Sequence, residues 1–223
     1  MKQKNFSMLV SSTALALMLG SSHLFAQQQQ PPETLSGGLV HMQGAKVALA
    51  YVRPGTNWAK YKTIQLRTLS VPTKVRNAAP HGTTPEFGES YVLSDENVTD
   101  LQNDFAQSFH SVLGNAGFTF VSTPQADTLI IVPEVDNITL SAPIENTRVG
   151  FAGPSMTVSR GGGAITVDAV LADGSTGVVL AEVADRQYGS DTWGLNNSVT
   201  NTAEARRIFD QWARELRDKL QSN

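Results

Sequence analysis

The sequence predicts an α+β fold, a two-layer α/β sandwich in which a mostly antiparallel sheet of about five strands carries two helices on one face. Three observations lead there. The segments 94–116 and 201–221 repeat apolar residues at helical spacing along one side only, so each helix has one face to bury. Between them, 164–183 alternates around Asp173-Gly174, the pattern of an antiparallel hairpin with a turn of several residues. Leu129-Ile-Ile-Val132 is apolar throughout, as a strand buried on both faces would be.

The chain opens with Lys2 and Lys4, an apolar run from Phe6 to Leu19, and small or polar residues ending at Ala26 before four glutamines. That is the three-part pattern of a cleaved secretory signal. The apolar run falls short of the roughly 20 residues that span a bilayer. Residues 1–26 are therefore read as a signal peptide, 27–50 as a flexible Gln-, Pro- and Gly-rich lead-in, and 51–223 as one α/β domain. Cleavage removes two lysines and no acid, moving the formal charge from −3 to −5.

Along the domain, Lys62–Leu69 alternates and reads as the first strand. Ser70–Leu93 holds three prolines and two glycines without periodicity and reads as a long loop. Ser94 is a helix N-cap, with Asp95 and Glu96 favouring the positive end of the dipole. Val98, Leu101, Phe105, Phe109, Val112 and Leu113 form the stripe of a first helix that Gly117 stops. Phe118–Val121 is a short strand. The apolar strand from Thr128 extends past Pro133, which belongs at a bulge or an edge because it donates no ladder bond.

Ala142–Gly163 reads as irregular, and Gly161-Gly162-Gly163 as a flexible connection. The hairpin follows, then a loop from Gln187 to Val199 carrying Trp193. The last helix is expected to start with Asn201 as cap and Glu204 three residues on. Ala205, Ile208, Phe209, Trp212, Leu216 and Leu220 make its inner stripe. Its outer face mixes Arg206, Arg207, Arg214, Glu215, Arg217, Asp218 and Lys219.

Composition excludes several functions. With 17 basic and 20 acidic residues and no basic block, the chain has no stripe for tracking phosphates, so nucleic acid is not an expected partner. The absence of cysteine removes disulfides, thiolate nucleophiles and Cys metal sites. The 40% hydrophobic and 17% charged fractions are those of a globular domain.

Asp173-Gly-Ser-Thr-Gly-Val-Val-Leu-Ala181, then Asp185-Arg186-Gln187, then Ala203-Glu-Ala-Arg-Arg-Ile-Phe-Asp-Gln-Trp-Ala213 resemble a family of small bacterial envelope proteins. The family is called domain of unknown function 3313. Pro54-Gly-Thr-Asn-Trp-Ala-Lys-Tyr-Lys-Thr63 is similar to its opening, and the resemblance spans roughly Tyr51 to Leu220. It implies an exported α/β domain, often lipid-anchored at the outer membrane, with no established activity and no catalytic residues to transfer. This chain departs on the anchor, having no cysteine to lipidate.

Candidate chemistry is sparse. A serine triad would need a base among His41, His81 and His110, and no G-x-S-x-G elbow is present, Gly153-Pro-Ser-Met-Thr157 failing at its last position. Gly161–Gly163 precedes a strand and lacks the Lys-Ser/Thr of a phosphate loop. No metal-ligand spacing occurs. Neither a catalytic group nor a cofactor is expected.

The reading is a non-enzymatic binding or structural module of the periplasm, peripheral to the outer membrane. Its partner would be an envelope protein or cell-wall component. The candidate contact residues are Trp193, Arg186 and Asp185, with the Ser70–Leu93 and Ala142–Gly163 segments. An uncovered sheet face and an edge near Pro133 also offer a route to a homodimer. The alternative is a carboxylate-dependent hydrolase of an envelope glycan using Asp168, Glu182 and Asp185.

Overall fold

The computed structural model describes residues 31–80, 89–146, 157–191 and 193–222, and residues 32–223 form one compact unit. The strands, in chain order with the helices, are β1 (Thr34–Leu35), β2 (Leu39–His41), β3 (Leu49–Val52), β4 (Thr63–Leu66), β5 (Ala79–Pro80) and β6 (Glu89–Ser90), then helix α1 (Asp95–Asn115). After it come β7 (Thr119–Phe120), β8 (Thr128–Leu140), β9 (Glu145–Asn146), β10 (Thr157–Arg160), β11 (Ala164–Asp173), β12 (Val179–Tyr188), β13 (Trp193–Asn196) and helix α2 (Ser198–Gln221).

The class is α+β, with two helices and one large sheet. Among the described residues that sheet has nine strands, not about five, and it is mixed: most pairings are antiparallel as expected, with a parallel end. Its order is β1-β2-β3-β12-β11-β8-β4-β7, with β5 also on β8. Pairings from β1 across to β8 are antiparallel, whereas β4, β5 and β7 join in parallel. The parallel end follows from α1, which supplies the crossover that two parallel neighbours, β4 and β7, require. The segment read as a flexible lead-in contributes β1 to β3 from Thr34 onward. Gly37 and Gly38, both at positive φ, make the tight β1–β2 turn that loop-like composition conceals.

Strand β8 shows how the sheet chooses its inner side. Leu129, Ile131 and Val135 are buried while Val132, Glu134 and Asp136 are exposed. A bulge at the Asp136–Asn137 step then resets the alternation, so Ile138 and Leu140 face inward. One extra residue does this because strand side chains have period two. Pro133 is not at an edge. It lies inside β8, opposite Ala169, where β4 has already ended at Leu66 and the chain rejoins through Ser70 N–H donating to Pro133 O at 3.0 Å.

The helix stripes meet this inner side in one core. Helix α1 starts as its sequence requires, with Ser94 and Asn97 closing a reciprocal capping box, and Gly117 takes the positive φ after its end. Phe105 stacks on Phe109 (4.3 Å) and edges onto Phe209 of α2 (5.3 Å). Buried Asp104 accepts from Arg206 at 2.7 and 2.9 Å across the helix pair.

Helix α2 starts earlier than expected. Its cap is Asn197, paired with Thr200, and Asn201 lies inside the first turn. Its side chain accepts from Ser141 N–H (3.1 Å) and donates to Ala142 O (2.9 Å), tying the helix to the end of β8. Glu204 is taken by Ser190 instead, through both its N–H (3.0 Å) and its hydroxyl (2.6 Å).

Two segments read as irregular pair with other segments. Antiparallel β6 and β9 join the two long loops, and β10 pairs with β13, placing Trp193 opposite Arg160. The triple glycine is a crowded crossing, not slack. A Cβ at Gly163 would sit 2.4 Å from Thr139 O, and one at Gly189 would sit 2.4 Å from the Gly162 Cα. Among the described residues no helix is long and apolar enough to cross a membrane.

Candidate functional site

Side-chain size along β11 and β12 leaves a gap between the sheet and the helices. Ala169 and Ala181 point to the inner side where their neighbours Val167 and Leu171 also point, and across from them stand Phe105, Phe109 and Trp212. Two alanines in the middle of a sheet cannot reach the helices that larger residues hold apart at either end. The result is a cavity of about 410 Å³. Its wall is hydrocarbon over most of its extent.

Polar groups gather at one end. There the wall includes Lys46, Asp185, Glu215, Asp218 and Lys219, supplied by the last turns of α2, by β12, and by the segment 42–47 between β2 and β3. This end reaches solvent, since the side chain of Lys46 is 70% exposed. Of the residues assigned to the outer face from sequence, Glu215 and Lys219 are part-buried against the cavity, while Asp218 is exposed at its rim. Arg206 is exposed as expected, and from that outer position its guanidinium reaches across to Asp104.

Asp185 is buried at this end and organises it. Its Oδ1 accepts from Ala48 N–H, and its Oδ2 from the Gln187 amide and the Trp212 indole, all at 2.7 Å. These bonds fix both the strap leading into β3 and the aromatic wall on α2. Glu215, one turn beyond Trp212, accepts from Gln211 at 3.2 Å through Oε1. Its Oε2 is buried with no partner among the described residues. Burial raises the Glu215 carboxyl above its ordinary range; the Gln211 bond opposes this and the negative charge of Asp185 reinforces it.

The register separates the residues singled out from sequence. Asp185 pairs with Val167, so both face the cavity. Asp168 pairs with Ala184, and Glu182 with Val170, which puts those two carboxylates on the opposite side of the sheet. The three acids do not converge. Asp168 lies directly opposite Glu134, and burial together with the charges of Asp136 and Glu134 raises its carboxyl. Arg186 is on that outward side with its guanidinium 5.2 Å from the Tyr188 ring.

Trp193 has its backbone in β13; its side chain, His81 and the Gly153–Met156 stretch lie outside the described residues. His41 packs on Tyr51 and His110 on Phe120, and neither bonds to a serine or carboxylate among the described residues.

Two of the stretches that carry the family resemblance meet in space. The carboxylate of buried Asp173 accepts at Oδ1 from the N–H and hydroxyl of both Ser175 and Thr176 (2.7–3.0 Å). At Oδ2 it accepts from Lys60 (2.6 Å) and Tyr61 (3.0 Å). The Asp-Gly-Ser-Thr-Gly turn is thus a structural knot tying the hairpin to the Trp-Ala-Lys-Tyr segment. The Lys60 bond, against the cost of burial, holds the Asp173 carboxyl far below the usual carboxylate range.

The cavity itself was missed from sequence. The only signal was the placement of two alanines at inward positions of adjacent strands.

Comparisons with solved structures give similarities at low identity. A Xanthomonas campestris protein of the family DUF330 is 13% identical, covering 74% of this chain and 86% of that one, with a TM-score of 0.42. The PelC dodecamer from Paraburkholderia phytofirmans is 14% identical over 74% and 96% of the two chains (TM-score 0.36). A minor lipoprotein from Acinetobacter baumannii is 10% identical over 71% and 91% (TM-score 0.33). At this similarity none of them informs ligand or assembly. No curated protein matches the sequence. The profile of the family described as protein of unknown function (DUF3313) matches residues 38–216, and the chain belongs to that family.

Proposed function

We propose that this protein is an exported, non-enzymatic binding module of the bacterial envelope, and that its cavity holds a small ligand made largely of hydrocarbon. The observation that carries the reading is the cavity's size and lining. Its 410 Å³ falls within the ~300–1,000 Å³ typical of small-molecule pockets. It is well beyond the ~150 Å³ apolar voids that stay empty in engineered cores.

The cavity opens to solvent at its polar end, so without a ligand its apolar wall is wetted, at a cost of about 25 cal/mol per Å² of apolar surface left in water. Water is a poor filler, because over most of the wall it finds no polar partner. An apolar occupant removes the cost and gains contact with Phe105, Ile131 and Leu171.

Residues 1–26 supply the export signal in this reading, which places the folded domain in the periplasm. The splayed positions of Asp168, Glu182 and Asp185 lend no support to glycan hydrolysis. A protein partner or second copy would meet the outward sheet face at Arg186 and Tyr188, or the β13 strand at Trp193.

The test is titration of the protein with a neutral alkyl-chain fluorescent probe, alongside Ala169→Phe, which fills the middle of the cavity. The wild type should bind one probe per chain. The variant should bind at least about tenfold more weakly, a loss of ~1.4 kcal/mol, while its Tm is unchanged or higher because the added ring replaces empty space. Equal binding by both proteins would remove the cavity as the site.

A further inference from the structure

The polar end carries three carboxyls, Asp185, Glu215 and Asp218, against two lysines, Lys46 and Lys219. The three donors to Asp185 are a backbone N–H, an amide and an indole, all uncharged. The single donor to Glu215 is the amide of Gln211. Neither acid forms an ion pair among the described residues. The cations at this end are bound to other groups of it: Lys46 to Asp218 at 3.4 Å, Arg217 to Asp218 at 2.8 Å, and Lys219 over the Trp58 ring at 5.8 Å, with Lys46 acting on Glu215 through its charge alone.

A buried carboxyl oxygen without a donor, such as Glu215 Oε2, marks a group whose partner is still to come. Taking a carboxylate out of water is tolerated when a cation or strong donor replaces the lost hydration. The rest of the wall, from Ala169 and Ala181 to Phe105, offers nothing polar. An occupant that satisfies both parts has one cationic end and a hydrocarbon body.

We propose that the cavity takes an alkyl-chain amine, its ammonium held by Glu215 beside Asp185 and its chain laid along Ala169, Ala181 and Phe105. The inference rests on the cavity being the binding site and adds the chemistry of the ligand's polar end. An ammonium placed there makes a charge-assisted hydrogen bond, about twice as strong as its neutral counterpart. A carboxylate of equal chain length would meet the like charges of Glu215, Asp185 and Asp218, three against the two lysines Lys46 and Lys219. The elevated carboxyl of Glu215 fits a site waiting for positive charge, since an ammonium alongside restores the ionised form.

The experiment displaces the neutral probe from the full chain with dodecylamine, dodecanol and dodecanoate, each below its micelle concentration, in the wild type and in Glu215→Gln. Glutamine keeps the shape and the Gln211 contact, so thermal unfolding should show the variant folded. In the wild type the amine should compete about tenfold better than either of the others, ~1.4 kcal/mol. In the variant that advantage should shrink to about twofold or less.

Equal competition by dodecanol or dodecanoate in the wild type would overturn the amine assignment while leaving the cavity as an alkyl site. So would an amine preference that survives in Glu215→Gln. Failure of the probe and of all three compounds to bind would overturn both readings together.

Discussion

Gly189→Ala is expected to destabilise the fold by about 3 kcal/mol, the upper end of what overpacking costs. In a chain of this length that lowers Tm by roughly 6–12 °C. The added methyl carbon would lie 2.4–2.5 Å from the Cα, C and O atoms of Gly162. The obstacle is backbone, which cannot swing aside as a side chain tip can. Moving it drags Gly163, where an added Cβ would sit 2.4 Å from Thr139 O. It also pulls on the Gly189 N–H bond to Gly163 O at 2.9 Å. Gly114→Ala is the control. That glycine sits in α1 with nothing within 4 Å of its absent Cβ, so alanine should stabilise by up to ~1 kcal/mol through helix propensity. Thermal unfolding of both variants measures the contrast, and a Gly189→Ala protein as stable as the wild type would mean the crossing is looser than described.

Asp173→Ala should cost about 3 kcal/mol by chemical denaturation, with Asp173→Asn losing less. Breaking a buried charge pair by removing one partner costs ~3–5 kcal/mol, and the figure belongs at the low end here. Lys60 is 42% exposed and can return to water once the carboxylate is gone. Asparagine retains an acceptor for the Ser175 and Thr176 amides but loses the charge facing Lys60. The pH dependence follows from the direction of the shift. The folded carboxyl is held well below the unfolded value of ~3.9, so the unfolded chain binds the proton first as acid is added. The stabilisation is complete above that unfolded value and is lost as pH falls below it. Wild-type stability should therefore drop more steeply than that of Asp173→Asn as pH falls from about 4 to about 2. Parallel curves would show that the knot contributes no charge-dependent stability.

What the sequence reveals depends on how far each signal extends along the chain. Helix α1 repeats its apolar residues over 21 residues and ends in Ser94 and Gly117, so its span, caps and buried face are all legible. The β11–β12 hairpin is legible for the same reason, with ten residues on each side. Strands of two to four residues, such as β1, β2 and β3, are too short for any period to register, and they account for most of the added sheet.

The start of α2 was misplaced because Asn197 and Asn201 both carry a capping side chain. Only tertiary structure decides between them, by spending Asn201 on Ser141 and Ala142. The triple glycine reads as flexible since composition does not record what lies across from it. The site was least legible of all. An inward alanine looks the same in sequence whether it faces a large side chain or a void. Glu215 falls among charged neighbours on α2, where its partial burial and its missing partner leave no trace.

Native mass spectrometry of the full-length protein purified from its own cell envelope, without organic extraction, tests the cavity most directly. The expected result is one bound amphiphile per chain, retained through purification, released by organic solvent, and absent from Ala169→Phe prepared in the same way. A wild-type protein that carries only its polypeptide mass, and that gains none when an alkyl amine is added back, would contradict the reading of the cavity as a ligand site.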